Sequence, residues 1–212
     1  MQENNFEFKS RLTLTELLGI KARNLSEILE KIKIVPLSSI YQHTHRFLQQ
    51  HHYLSPEPPN DFAYWVTNML NNEIAGEQLA SIDVMQFNNL SDLRLKFIQI
   101  LGDYVGKAGN GNCPEGEEFH FMSSRIFVLP IDKKAANIQE FIDALKTVSI
   151  HSIYYHMFEA KMRLGKQDND FSVWLRSIGM KKEADIISRF DPYTFTLEGL
   201  RRKILETING NS

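Results

Sequence analysis

Residues 38–47 are SSIYQHTHRF and residues 151–160 are HSIYYHMFEA, so the word Ser-Ile-Tyr-x-His occurs twice, 113 positions apart. Four further blocks recur in the same order: FEF at 6–8 and FHF at 119–121, KARNLSEIL at 21–29 and KAANIQEFI at 134–142, NDFAYWV at 60–66 and NDFSVWL at 169–175, LSDLRLKFIQIL at 90–101 and LEGLRRKILETI at 197–208. Ordered matches at slowly falling spacing indicate an internal duplication, which has to be recognised before the fold is predicted.

Each half is predicted to be mostly helical. Asn24 with Glu27, and Asn137 with Glu140, have the spacing of a capping box, and an apolar stripe of helical period follows each. Further helices are predicted from Ser38 or Ser39 and from Ser152, from the Asn-Asp pairs 60–61 and 169–170, over residues 73–82 and 180–189, and over residues 90–105 and 196–208.

The fold class follows from these helices. Alternation in FEFKSRLTL and EFHFMSSRIFVL predicts short β segments before each set of helices. The glycine-rich residues 106–118 are typical of a linker. We therefore expect a mainly α protein of two pseudo-symmetric helical repeats packed together, with at most short β segments at the start of each. Repeat 1 covers residues 1–105, the linker 106–118, and repeat 2 residues 119–212, within one compact unit.

Composition narrows the classes of partner and compartment. The 24 basic and 26 acidic residues give a net charge of −2, which predicts neither a nucleic-acid partner nor an anionic membrane surface. The single cysteine, Cys113, has no disulfide partner within the chain and favours a reducing cytoplasm. The first residues do not resemble a signal peptide, and no apolar run approaches the roughly 18 residues of a membrane span. We expect a soluble, cytoplasmic protein.

Three polar pairs recur and form the candidate site: Tyr41 and Tyr154, His43 and His156, and Asp61 and Asp170. The structural interpretation is that the tyrosines fill the core, the histidines bond across helices and the aspartates cap helices. Most repeated positions in repeat proteins serve stacking, which favours this interpretation. The functional interpretation is a pocket at the seam between the repeats, lined by both copies and able to bind a polar small molecule. The repeated Trp65 and Trp174 are predicted to be largely buried.

The histidine cluster is a weak metal candidate. His43, His45, His51 and His52 lie within ten residues, but none is three or four positions from another, the spacing that puts two ligands on one helix face. Phe158 replaces His45 in the second copy. We expect no metal site here.

Nucleophilic catalysis and cofactor binding have little support. Cys113 lies in the linker without a paired base, and the sequence identifies no acid to orient a Ser39–His43 or Ser152–His156 pair. The glycines of residues 106–118 lack the Gly-Lys-Ser/Thr ending of a phosphate loop. We predict no catalytic residue and no cofactor.

The words SIYQHTHRFL, PNDFAYWV, SIYYHMFEAKMRL, NDFSVWL and TLEGLRRKIL together resemble a bacterial family known by a domain-of-unknown-function label. The resemblance covers nearly the whole chain and implies no defined activity or site residues. It implies a weak association with enzymes of sugar transfer or trehalose metabolism, near which members are sometimes encoded. The leading expectation is a non-catalytic regulatory or adaptor module that binds another protein, such as an enzyme of carbohydrate metabolism. The alternative is a small-molecule-binding protein or enzyme that uses the seam pocket.

Overall fold

The computed structural model describes residues 5–50, 59–107, 111–160, 168–191 and 194–210, and in this part of the chain each half has one strand followed by five helices. The first half contains β1 (Phe6–Ala22), α1 (Leu25–Ile34), α2 (Leu37–Gln50), α3 (Asp61–Asn68), α4 (Glu73–Ala80) and α5 (Leu90–Tyr104), with a 3-10 turn at Val84–Gln86 between the last two. The second half contains β2 (Phe119–Ala135), α6 (Ile138–Thr147), α7 (Ile150–Tyr154), α8 (Asp170–Ser177), α9 (Lys181–Ile187) and α10 (Leu197–Ile208), with a π-helical turn at Tyr155–Glu159 directly after α7. The order of elements is the same in both halves.

The prediction of a mainly α protein was wrong, because the two strands are 17 residues long each and pair into one antiparallel sheet. The protein is therefore α/β. Local pattern underestimated the strands for a physical reason. The second half of β1 contains Gly19, which has a φ of 69°, and the second half of β2 contains Pro130. Glycine and proline usually weaken or interrupt strands. Each strand is also completed by a partner in the other half of the chain, which local pattern cannot reveal.

Two compact units divide the chain, and their boundaries fall inside the strands. Unit 1 contains residues 5–12 together with the described residues from 126 onward. Unit 2 contains residues 13–50 and the described residues from 59 to 125. The first part of β1 thus belongs to the unit built from helices of the second repeat, and the first part of β2 to the unit built from helices of the first. The sequence division at residues 106–118 stays a prediction about the repeats.

Aromatic side chains from the start of β1 form much of the core of unit 1. The ring centroid of Phe6 lies 5.3 Å from that of Phe141 and 5.8 Å from that of Trp174, and Phe8 lies 5.4 Å from Phe141. Phe171 packs against both strand residues. Burying a phenylalanine contributes about 1.5–3 kcal/mol, so these two strand residues are a large part of what holds β1 in the unit.

Unit 2 uses the same arrangement with the start of β2. Phe119 lies 5.1 Å from Phe62 and 5.7 Å from Trp65, and Phe121 lies 6.3 Å from Phe62. Phe97 of α5 closes the cluster at 5.1 Å from Phe62. The FEF and FHF words are therefore equivalent core anchors, one in each unit.

Both tryptophans are buried, each with a relative exposure of 5%, so the prediction that they are core residues is confirmed. In unit 2 the indole N–H of Trp65 donates to the carbonyl of Glu117 at 2.7 Å, which satisfies the one polar atom of the ring.

Helix ends in the two halves are satisfied in parallel ways. The predicted caps are confirmed, since Asn24 accepts from the backbone N–H of Glu27 and Asn137 from that of Glu140. The repeated arginines close the other ends: Arg94 donates to the carbonyl of Val35 at 2.6 Å, and Arg201 to that of Leu145 at 2.7 Å. A cation at a helix C-terminus also interacts favourably with the helix dipole.

Among the described helices, none is both long enough and apolar enough to cross a membrane.

Candidate functional site

The Asn-Asp pairs that begin α3 and α8 divide two tasks between neighbouring residues. Asn60 caps α3 by accepting from the backbone N–H of Ala63 at 2.9 Å, and Asn169 caps α8 by accepting from that of Ser172 at 2.8 Å. Because the asparagines make the caps, the carboxylates of Asp61 and Asp170 remain available for other partners.

In unit 2 that partner is His43. Its Nδ1 lies 2.8 Å from Oδ2 of Asp61, and its Nε2 accepts the backbone N–H of Met122 on β2 at 2.9 Å. A nitrogen that accepts a hydrogen bond carries no proton, so the single N–H of the neutral ring is on Nδ1 and donates to Asp61. The tautomer is thus fixed by its two partners.

Unit 1 repeats this geometry. Nδ1 of His156 lies 2.7 Å from Oδ2 of Asp170, and Nε2 accepts the backbone N–H of Lys9 on β1 at 2.8 Å. We call each set of Asp, His and strand N–H a strand clamp. In the two clamps, the histidine lies 79 and 147 residues away in sequence from the strand N–H that it accepts.

The clamps leave no obvious catalytic atom. In an Asp-His pair that serves as a general base, Nε2 takes a proton from the nucleophile. Here a backbone N–H occupies that position, and the rings of His43 and His156 are only 1% and 3% exposed. The arrangement therefore holds a strand and does not present a base to solvent.

The repeated tyrosines have different neighbours in the two units. Tyr41 stacks on His45 with centroids 5.3 Å apart and an interplanar angle of 8°. Tyr154 lies under the guanidinium of Arg11, whose central carbon is 4.9 Å from the ring centroid. The six predicted residues are thus divided between the units, with His bonded to Asp inside each. A pocket shared by both copies stays a prediction.

Unit 1 also contains a buried ion pair that sequence reasoning missed. Arg11 of β1 is bonded to Glu159, and both side chains are almost fully buried. The position 113 residues after Arg11 is Ser124, whose hydroxyl donates to Gln42 in unit 2. Alternation gave no signal for this pair, because Arg11 lies three residues after Phe8 and so at an outward position of the strand pattern. Buried charges require a partner, which here is Glu159.

A cleft of about 390 Å³ opens beside the clamp of unit 1. Its walls include Glu7, Lys9, Asp170 and Trp174. A hydrogen bond from Lys134, together with the charge of that lysine, lowers the pKa of Glu7. The lowered pKa keeps this carboxylate ionised near neutral pH, so Glu7 is not tuned to act as a general acid.

The predicted histidine cluster is only partly described. His51 and His52 lie outside the described residues, and Nδ1 of His45 lies 2.9 Å from the hydroxyl of Thr44. Within the described part of the chain, no group of three His, Cys, Asp or Glu residues has the geometry to hold a metal ion.

Apolar side chains are exposed on the strands of unit 1. Ile126, Phe127, Val128 and Leu129 on β2 and Leu12 on β1 are between 38% and 51% exposed. We call these five residues the apolar strand surface. Consecutive strand residues point to opposite faces, so a run of four exposed residues means that both faces of β2 are accessible there. The sequence alone predicted a half-buried strand at this position.

Comparisons with known proteins identify relatives of the whole chain. The model of a family described as "Family of unknown function (DUF5752)" matches residues 3–209. The chain is also similar to the solved structure titled "The structure of OrfY from Thermoproteus tenax", with a TM-score of 0.82 and 30% sequence identity over 98% of this chain and 95% of the OrfY chain. A search of curated proteins found no match.

Proposed function

The chain belongs to the DUF5752 family of unknown function, and from that premise we propose that it is a non-catalytic regulatory or adaptor module that binds another protein. The observation that carries the proposal is the apolar strand surface of unit 1. Exposed apolar patches on soluble proteins commonly mark interaction sites, and Phe127 and Leu129 lie on the same face of β2. An uncovered apolar strand in a two-stranded sheet also has an unpaired edge, which natural proteins usually cover or protect with charge.

The clamps support the non-catalytic part of the proposal. The most conspicuous repeated polar residues, His43 with Asp61 and His156 with Asp170, are committed to holding the strands. Their reactive nitrogens face backbone N–H groups and are buried. The polar repeat residues thus serve the fold, while the apolar surface lies elsewhere.

The class of partner follows from the resemblance. Members of the resembled family are sometimes encoded near enzymes of sugar transfer, so an enzyme of carbohydrate metabolism is the first partner to test. The proposal places both proteins in the cytoplasm, which the single cysteine favours. The bacterial origin suggested by the resemblance stays a prediction.

The test uses immobilised wild-type protein in an extract of its own host, followed by direct binding of each captured protein in purified form. Phe127→Ser/Leu129→Ser removes two members of the apolar strand surface and is expected to abolish binding. The matched control is Ile74→Ser/Leu95→Ser, which removes two exposed apolar residues from α4 and α5. Equal binding by both double variants would contradict the proposal.

A second candidate function is small-molecule binding in the cleft of unit 1. Its volume of about 390 Å³ lies within the usual range for ligand sites, roughly 300–1,000 Å³, and Lys9, Asp170 and Trp174 bring a cation, a carboxylate and an aromatic ring to it. A thermal-shift screen of sugars, amino acids, polyamines and phosphates tests this function. A ligand of this cleft should raise the melting temperature of the wild-type protein and of Ser188→Phe, whose side chain lies outside the cleft. It should not raise the melting temperature of Ser177→Phe, whose side chain fills the cleft.

A further inference from the structure

Unit 1 contains a groove that receives the start of β1, formed by Phe141, His156, Glu159, Phe171 and Trp174. We call these five residues the strand slot. We propose that the strand slot is a binding site for an extended Phe-x-Phe segment, and that a second copy of this chain supplies that segment by strand exchange. The inference is independent of the proposed adaptor function.

The first observation is that noncovalent contacts to distant residues hold β1 in the slot. Phe6 packs 5.3 Å from Phe141 and 5.4 Å from Phe171. The backbone N–H of Lys9 donates to His156 at 2.8 Å across a sequence separation of 147 residues, and Arg11 pairs with Glu159. Nothing in these contacts requires the strand and the slot to belong to the same molecule.

The second observation is that unit 2 recognises β2 by the same rules. Phe119 and Phe121 pack against Phe62, and the N–H of Met122 donates to His43 at 2.9 Å. In both units the bound segment has Phe at its first and third positions and gives the N–H of its fourth position to a histidine. The second position differs, with Glu7 in one segment and the exposed His120 in the other.

These shared features describe a ligand chemistry. An extended segment offers two phenyl rings on one face and a backbone N–H directed at a neutral imidazole. The charge of the intervening residue is not selected, because Glu7 and His120 both point outward. A second copy of this chain carries such a segment, together with an arginine placed to meet Glu159.

Exchange with a second copy creates no new contacts, so concentration determines its extent. A short flexible tether gives a segment an effective concentration on the order of millimolar, and the continuous strand β1 holds residues 6–12 near their own slot at least as firmly. The intrachain arrangement therefore dominates in dilute solution. Exchanged dimers are expected when chains fold together at concentrations approaching that value.

The hydroxyls of Ser10 on β1 and Ser149 at the start of α7 lie 3.3 Å apart and provide the test. In a Cys113→Ser background, Ser10→Cys and Ser149→Cys are introduced into separate chains, one of which carries a size tag. The two proteins are mixed, unfolded in urea, refolded together at high concentration and oxidised. The proposal predicts a disulfide-linked heterodimer, which non-reducing electrophoresis resolves.

The matched control pairs Ser10→Cys with Ser81→Cys, an exposed position at the end of α4 in unit 2. A heterodimer yield no higher than in this control overturns the proposal. If the double variant Ser10→Cys/Ser149→Cys does not close its own intrachain disulfide, size-exclusion chromatography of co-refolded wild-type protein decides instead. A wild-type dimer that is absent in Phe6→Ala/Phe8→Ala and present in Phe127→Ser supports exchange. Wild-type protein that elutes only as a monomer overturns the proposal.

Discussion

At the scale of single residues, the histidine clamp assigns a protonation state that mutation can test. Because Nε2 of His43 accepts from Met122, the ring is neutral and donates to Asp61. An asparagine at position 61 can also accept that N–H, so Asp61→Asn is expected to leave the free energy of unfolding nearly unchanged. His43→Phe leaves a buried strand N–H without its acceptor and is expected to cost about 1–3 kcal/mol.

Urea unfolding of the two variants measures both effects. A charged His43 would depend strongly on the carboxylate, so a large loss of stability in Asp61→Asn would contradict the neutral tautomer. Asp92→Asn, a substitution of an exposed aspartate in the first turn of α5, is the matched control for losing one carboxylate at a helix start.

Cys113 gives a second prediction at this scale. Burial, and secondarily the charge of Glu118, raises the pKa of its thiol above the usual value. Since the thiolate is the reactive form, we expect slow reaction with a disulfide reagent at pH 7–8 and a rate that rises only at higher pH than for an exposed cysteine. Reaction in urea should be fast. A native rate equal to that in urea would contradict the assignment.

At the scale of elements, α3 and α4 approach closely at Gly76. A Cβ added there would lie 1.9 Å from the hydroxyl oxygen and 3.0 Å from the Cβ of Thr67. Gly76→Ala is therefore expected to destabilise unit 2, by about 1–3 kcal/mol for an overpacked contact. Thermal or urea unfolding measures the loss, and Gly76→Ala/Thr67→Ala should recover part of it.

Gly102 in α5 is the matched control, because an added Cβ meets nothing within 4 Å there. Replacing a glycine within a helix by alanine removes a conformational cost of about 1 kcal/mol. Gly102→Ala is accordingly expected to raise the midpoint of unfolding. If Gly76→Ala also raised the midpoint of unfolding, the approach of α3 to α4 at Gly76 would be looser than these distances indicate.

At the scale of the whole molecule, the sequence pattern predicted those structural features that depend only on residues close to one another in the chain. The caps at Asn24 and Asn137 and the burial of Trp65 and Trp174 followed from spacing within one helix. The lengths of β1 and β2 did not, since pairing between distant segments extends them through Gly19 and Pro130. The sequence predicted only part of each clamp. It identified the repeated His and Asp, but not the backbone N–H groups that the histidines accept, because these lie on strands that are distant in sequence.

Shared strands also determine how the molecule is expected to unfold. Residues 6–12 of β1 contribute to unit 1 and residues 13–22 to unit 2, so loss of either unit removes support from a strand of the other. We expect one cooperative transition. Trp65→Phe leaves Trp174 as the reporter of unit 1, and Trp174→Phe leaves Trp65 as the reporter of unit 2. Their fluorescence midpoints in urea should coincide.

Phe8→Ala sharpens this prediction. Phe8 is fully buried in unit 1, and losing a core phenylalanine costs about 3–5 kcal/mol. Because β1 is continuous, Phe8→Ala should move the midpoints of both reporters to the same lower urea concentration. The matched variant Phe121→Ala in unit 2 should do the same. A shift of the Trp174 midpoint alone in Phe8→Ala would mean that the units unfold independently and that the shared strands transmit no stability between them.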